Sequence, residues 1–228
     1  MCLSATVSFS AGALLVAGGG FAITKAWQIN KRYLPVALMP LFAGFQQLLE
    51  GGVWMGVNAG DPNTTLVNAL GYIFFTWFMW PFWIPVATYL LEPPESRRKP
   101  LMLAMAVAGL AFGLALYIPH LLNPDWVEVS VNRDSLAYEG TMILDYLMPR
   151  PMTYFIYLFL IIAPPAISTY LHMRWFALTL VAVVVVDILF LRYAYISFFC
   201  ILAGLGTLHL IYIIVRNKCA RECPVLFA

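Results

Sequence analysis

Apolar residues run in seven blocks along this chain, near positions 4–24, 33–57, 66–91, 100–121, 152–171, 174–192 and 194–215. Each is close to the ~20 residues that an α-helix needs to cross a ~30 Å hydrocarbon layer. The breaks carry charge or turn chemistry: Lys31-Arg32, Asp61-Pro62-Asn63, the run from Pro93-Pro94-Glu95 to Arg98-Lys99, and His172-Met173-Arg174. The turn near Arg192-Tyr193 holds neither Gly nor Pro and has to be tight. Between the fourth and fifth blocks the period changes. Residues 126–131 alternate apolar and polar, Asn132-Arg133-Asp134 offers a turn, and Ser135-Leu136-Ala137-Tyr138 comes next. That pattern predicts a β-hairpin, with an irregular ordered loop as the alternative. An isolated hairpin is marginal, so it is expected to rest on helix ends.

Charge decides count and orientation. Lys25, Lys31 and Arg32 lie between the first two blocks, Arg97, Arg98 and Lys99 between the third and fourth, Arg174 between the fifth and sixth, and Arg216, Lys218 and Arg221 after the seventh. The alternate connections carry Asp61, then Asp125, Glu128, Asp134, Glu139 and Asp145 against Arg133 and Arg150. Basic connections mark the cytoplasmic side. The alternation is consistent only if residues 174–215 cross twice. The expected fold is therefore all-α: one domain over residues 1–228, a polytopic bundle of seven transmembrane helices. Its N-terminus lies outside and its C-terminal tail, 216–228, in the cytoplasm, with an extracytoplasmic loop or hairpin at 122–151. The expected location is the plasma or inner membrane, crossed several times.

Composition agrees. The chain is 62% hydrophobic and 11% charged, against roughly 45–50% and about 25% in soluble domains. A net charge of +2 with no basic run among aromatics gives no reason to expect nucleic acid. The start Met1-Cys2-Leu3-Ser4 has no basic n-region, so no cleaved signal peptide is expected. Cys2, Cys200, Cys219 and Cys223 make no disulfide framework.

Polar residues inside the blocks carry the candidate chemistry. An ionisable group within a span faces the bundle interior and needs a partner. Gln46, Gln47, Glu50 and Trp54 fall on one side of helix two by i, i+3 and i+4 spacing. Glu50 sits about seven residues, or ~10 Å, inside the outer boundary. Asp187 ends the valine run of helix six at similar depth, with Arg192 as its natural counter-ion. Tyr72, His120, Tyr154, Tyr157, Ser197 and Cys200 reach the same level. One expectation is an outward-facing pocket lined by Glu50, Gln46, Gln47, Asp187, Arg192, Trp54 and Tyr72. The competing one is a buried network that pins helices together.

Other residues say less. Trp77, Trp80 and Trp83 step by three beside Pro81 and Pro85; packing and interface anchoring explain them better than a stacking wall for a flat ligand. His120, His172 and His209 have no i, i+3 or i+4 pairing for a metal. His120 or His209 remains a candidate single ligand to haem or a chlorophyll magnesium. Cys219-x-x-x-Cys223 reads as a reduced cytosolic pair, with metal binding or palmitoylation as alternatives. No late-helix Lys suits a retinal Schiff base, and no hydrolase, metalloprotease or phosphate-loop motif is present.

Two short pieces carry a resemblance. Met1-Cys2-Leu3-Ser4-Ala5-Thr6-Val7-Ser8-Phe9 with Gly12, and Gln46-Gln47-x-x-Glu50-Gly51, resemble an uncharacterised family of bacterial membrane proteins that open Met-Cys-Phe-Ser-Ala. Leu3 stands where Phe is usual. The resemblance implies a membrane fold and transfers no mechanism. It also suggests that a thiol-bearing N-terminus tucks into the outer mouth, bringing Cys2, Ser4 and Ser8 to the pocket. Three functions are open. The first is a sensor- or transporter-like protein binding a small ligand or ion in that pocket. The second is an accessory subunit of a larger membrane complex, pigment- or redox-associated. The third is a membrane enzyme with Glu50 as acid or base. The lipid bilayer is the one certain partner in all three, and binding is preferred to catalysis.

Overall fold

The computed structural model describes residues 4–132, 135–190, 204 and 206–212; of Glu139, Asp187, Ile188 and Phe190 it describes the backbone alone. Six helices are delimited: α1 (Ala5–Ile29), α2 (Leu34–Ala59), α3 (Pro62–Leu91), α4 (Lys99–Leu122), α5 (Arg150–Ala166) and α6 (Leu171–Phe190). Residues 206–212 are helical as well. The 25 residues of α1, at ~1.5 Å rise each, outreach a ~30 Å hydrocarbon layer. α1, α3 and α4 are each long and apolar enough to cross a membrane. α2 has 26 residues, but its interior holds Gln46, Gln47 and Glu50.

Start signals are local. The Ser4 hydroxyl accepts from the Val7 amide, and the Asp61 carboxylate accepts from Asn63 N, Thr64 N and the Thr64 hydroxyl. Pro62 takes the first helical position of α3, where its missing N–H costs nothing. Glycines then set how closely the helices approach. A Cβ on Gly19 would lie 2.5 Å from Leu41 N, and one on Gly44 2.8 Å from Val16 N. A Cβ on Gly109 of α4 would run into the Pro81 carbonyl of α3. These contacts bring α1 onto α2, and α4 onto α3, backbone to backbone.

Inside α3 the expected proline kink takes a particular form. Residues Phe74–Met79 make a π-helical turn in which the Trp80 N–H bonds Phe75 O, just before Pro81. A π-turn inserts an extra residue and rotates the side chains beyond it about the helix axis. Trp77, Trp80 and Trp83, which step by three and would share roughly one face of a regular helix, are consequently split. Trp80 and Trp83 donate to Gln46 and to Pro35 O of α2, whereas Trp77 lies against His120 of α4.

The hairpin forms as the alternation predicts. β1 (Val127–Asn132) runs antiparallel to β2 (Ser135–Gly140), with Val127 opposite Gly140 and Asn132 opposite Ser135. Ser135, Leu136, Ala137 and Tyr138 of β2 are all buried. Leu136 and Tyr138 share a core with Val53, Trp54, Tyr72, Ile73, Trp77 and Leu116, so the hairpin is seated on α2, α3 and α4. A second core gathers Leu15, Met39, Trp80, Leu91, Met173, Phe176 and Leu210 towards the other end.

One boundary departs from expectation. The break foreseen at His172–Arg174 falls at residues 167–170, and His172 already belongs to α6. Pro164 and Pro165 remove two ladder donors near the end of α5. The Thr169 amide is then diverted to the Glu92 carboxylate.

The glycine contacts predict that Gly109→Ala overpacks the α3–α4 seam and costs about 1–3 kcal/mol. Gly20→Ala, where an added Cβ meets nothing within 4 Å, is expected to leave the thermal midpoint in detergent unchanged. Equal midpoints for the two variants would refute the close approach.

Candidate functional site

Gln46, Gln47, Glu50 and Trp54 occupy the buried side of α2, as their spacing requires. Exposure is 1% for Gln46, 1% for Gln47 and 0% for Glu50. Gln46 is held at both ends of its amide. Its Nε2 donates to Thr76 Oγ1 at 2.8 Å, and its Oε1 accepts from Trp80 Nε1 at 2.7 Å. The Thr76 hydroxyl donates in turn to Tyr72 O at 3.3 Å. Thr76 and Trp80 are four residues apart on α3, the spacing that puts two side chains on one helix face, and both meet one side chain of α2.

Tyr72 is fully buried and stacks on Tyr138 of the hairpin, ring centroids 4.4 Å apart at 13°. His120 is buried at the same end. Its Nδ1 is 2.7 Å from Leu116 O, a carbonyl that can only accept, so Nδ1 carries a proton and donates. The ring centroid lies 4.4 Å from that of Trp77 and 6.2 Å from that of Trp126. The hairpin thus closes over a layer of aromatic and polar side chains supplied by α2, α3 and α4.

Gln47 differs from its neighbour. Among the described residues neither its Nε2 nor its Oε1 has a hydrogen-bond partner. The Ser8 hydroxyl of α1, also fully buried, has none among them either. Gly12 packs against Leu48 and Gly44, and Gly51 against Phe9. That register sets Ser8 in the α1–α2 seam close to the level of Gln47 and Glu50.

Of the other expected lining residues, Tyr72 and Trp54 share the core beneath the hairpin. The side chain of Asp187, and Cys2, Arg192, Cys200, Cys219 and Cys223 altogether, lie outside the described residues. The expected meeting of the second acid, its arginine and the N-terminal thiol with Glu50 falls on those positions. The two histidines expected as single ligands sit at opposite ends. His209 precedes Leu210, which shares a core with Tyr33 and Met173, and the His172 ring lies 6.0 Å from that of Tyr33, far from the hairpin. Among the described residues no group of three His, Cys, Asp or Glu side chains comes together to hold a metal.

Sequence reasoning missed the other buried acid. Glu92 comes just after the last turn of α3 and is 1% exposed. It accepts from Ser96 Oγ at 2.7 Å, Ser168 Oγ at 2.9 Å, Thr169 N at 3.1 Å, and the Thr169 hydroxyl. Burial pushes its carboxyl up, but the hydrogen bonds from Thr169, Ser96 and Ser168 more than offset this and hold it below the ordinary glutamate value. Lys99 Nζ, Arg98 and Arg174 donate to backbone carbonyls around it, at Glu92, Ile167 and Ser168. The adjacent Ser168 and Thr169 were the signal in the sequence. They look like ordinary loop chemistry until a carboxylate is placed opposite.

At the hairpin end, Arg150 clamps Asp145 through Nε and NH2 and also donates to Gly140 O at 2.9 Å. The hydrogen bonds from Arg150 hold the Asp145 carboxyl below its usual range.

Gln46→Leu leaves the Trp80 indole N–H without its acceptor in an apolar setting, while Thr76 keeps its bond to Tyr72 O, and is expected to cost about 1–2 kcal/mol of stability in detergent. A neutral result would show that the amide bridge carries no energy. Because the Glu92 pKa is lowered on folding, its contribution is complete above the unfolded value near 4.5 and is lost as pH falls through the folded value. Thermal midpoints measured down through that window should fall more steeply for the wild type than for Glu92→Gln. Parallel curves would contradict the assignment.

No curated protein and no solved structure shows significant similarity to the chain. The model of one family matches residues 1–224, in keeping with the uncharacterised family that the opening residues resemble. The chain belongs to DUF6629, a family of unknown function.

Proposed function

We propose that this chain is a seven-span plasma-membrane protein, N-terminus outside and C-terminus in the cytoplasm, that binds a small polar ligand or ion beneath its hairpin. The crossing count and orientation rest on the alternation of basic and acidic connections. The segregation of charge supports them. Lys31, Arg32, Arg97, Arg98 and Arg174 gather at the end marked by the Tyr33–His172 contact, while Asp125, Glu128 and Asp145 flank the hairpin.

Gln47 is the observation that carries the binding function. A buried amide with neither atom bonded costs about 1–3 kcal/mol, and native proteins keep few such groups without a reason. It lies one turn from Glu50, at a level of the bundle close to those of Ser8 in α1 and of the Tyr72–Tyr138 stack. A ligand that both accepts from and donates to the amide would satisfy it, and Glu50 would favour a cationic or proton-donating group. The site is sensor-like or transporter-like in position, facing the hairpin side. The Tyr146 and Leu147 side chains, each 76% exposed on the loop after the hairpin, favour a second reading. They would suit an accessory subunit that meets a partner there.

Thiol accessibility tests the site. In a variant whose four cysteines are replaced by serine, Gln47→Cys is expected to react with a small impermeant thiol reagent added outside intact cells. Leu14→Cys, on the exposed apolar face of α1, is expected to stay unreacted. An inert position 47, or equal reaction at both, would contradict a water-reached site.

A further inference from the structure

The end of the bundle opposite the hairpin holds an imbalance of charge that the binding site does not use. Among the described residues Lys25, Lys31, Arg32, Arg97, Arg98, Lys99 and Arg174 lie at or beside that end, with two acids, Glu92 and Glu95. The Glu92 carboxylate is filled by the hydroxyls of Ser96, Ser168 and Thr169 and by the Thr169 amide, none of them cationic. Arg98, Lys99 and Arg174 are turned onto backbone carbonyls. Among the described residues the one ion pair, Arg150 with Asp145, sits at the hairpin end. Lys31 and Arg32 are exposed and are given no carboxylate there.

The surface leading to them is apolar. Val7, Leu14 and Phe21 recur every seven residues on α1 and are 36%, 55% and 49% exposed. Two cation–aromatic pairs at i, i+4 spacing stand at this end of α1, one continuing the stripe through Phe21 and one at the opposite margin of the exposed face, about 120° round the helix. Lys25 Nζ lies 5.4 Å from the Phe21 ring centroid, and Lys31 Nζ 4.3 Å from that of Trp27, which is 60% exposed. Each ring fixes its lysine at the end of the helix. Tryptophan and lysine together at the end of a span-length helix mark the headgroup level.

We propose that this edge of α1 holds an anionic phospholipid: its acyl chain lies along Val7, Leu14 and Phe21, and its phosphate is met by Lys25, Lys31 and Arg32 beside Trp27. The exposed apolar face of α1, which runs into the cations at its end, selects a lipid over a free phosphate or an acidic peptide, neither of which would cover it. The inference rests on the helices crossing a membrane, and is independent of the Gln47 site.

The test uses full-length protein in nanodiscs of phosphatidylcholine mixed with phosphatidylglycerol. Native mass spectrometry then reads which lipid stays bound after release from the disc. The wild type is expected to retain phosphatidylglycerol in preference. In K31Q/R32Q that preference falls by roughly thirty-fold, from about 1 kcal/mol for each cation at an anionic surface. K31R keeps most of it, which separates loss of charge from loss of fold. W27L weakens it more than W27F does, because phenylalanine retains the ring under Lys31. Equal retention of both lipids by the wild type, or an unchanged preference in K31Q/R32Q, would overturn the proposal. So would inorganic phosphate stabilising the protein in pure phosphatidylcholine discs as well as phosphatidylglycerol does.

Discussion

The Gln46 amide is the contact around which α2 and α3 are arranged. In the lipid setting proposed for this chain there is no water to take up a stray donor or acceptor, so a glutamine in a helix interior has to find both partners on a neighbour. Thr76 and Trp80 supply them across a π-turn. Thr76 and Trp80, four residues apart, share a face of α3, and the wider π-turn swings Trp77 away from them towards α4. The seat of the hairpin depends on the Gln46 contact too, since Tyr72, which stacks on Tyr138, stands one turn from Thr76 and accepts its hydroxyl on the backbone carbonyl.

The two ends of the molecule solve the same problem differently. At the basic end a buried carboxylate, Glu92, is surrounded by short hydroxyl donors and locks α3 to the α5–α6 corner. That arrangement is saturated and reads as structure. At the hairpin end Gln46 is saturated, while Gln47, the next residue, has no partner among the described residues. Two adjacent glutamines, equally buried and treated so differently, are the contrast that makes the Gln47–Glu50 level the place to look for a ligand.

Much of the architecture was legible from the alternation of apolar blocks and charged breaks, and the hairpin from a period of two between them. The α2 polar face was legible too, because i, i+3 and i+4 spacing needs no knowledge of partners. Partners were not legible. Nothing in Phe74-Phe75-Thr76-Trp77 announces that Thr76 answers Gln46, because the pairing depends on how α3 is turned against α2, which no period within one helix encodes. Glu92 looked like one charge among several in a cytoplasmic loop, since its burial comes from Ser168 and Thr169, far along the chain. The α5–α6 break was misplaced for the same reason: the charge at Arg174 was visible, but the capture of the Thr169 amide was not. The suggested partners of Glu50 at Asp187, Arg192 and Cys2 lie outside the side chains described.

An experimental map of the full chain in lipid nanodiscs is the most direct test of the central claim. The binding site predicts non-protein density beneath the hairpin, within hydrogen-bonding distance of the Gln47 amide and reaching towards Glu50. A map in which protein side chains bond both atoms of Gln47, with no density between it and Glu50, would contradict it.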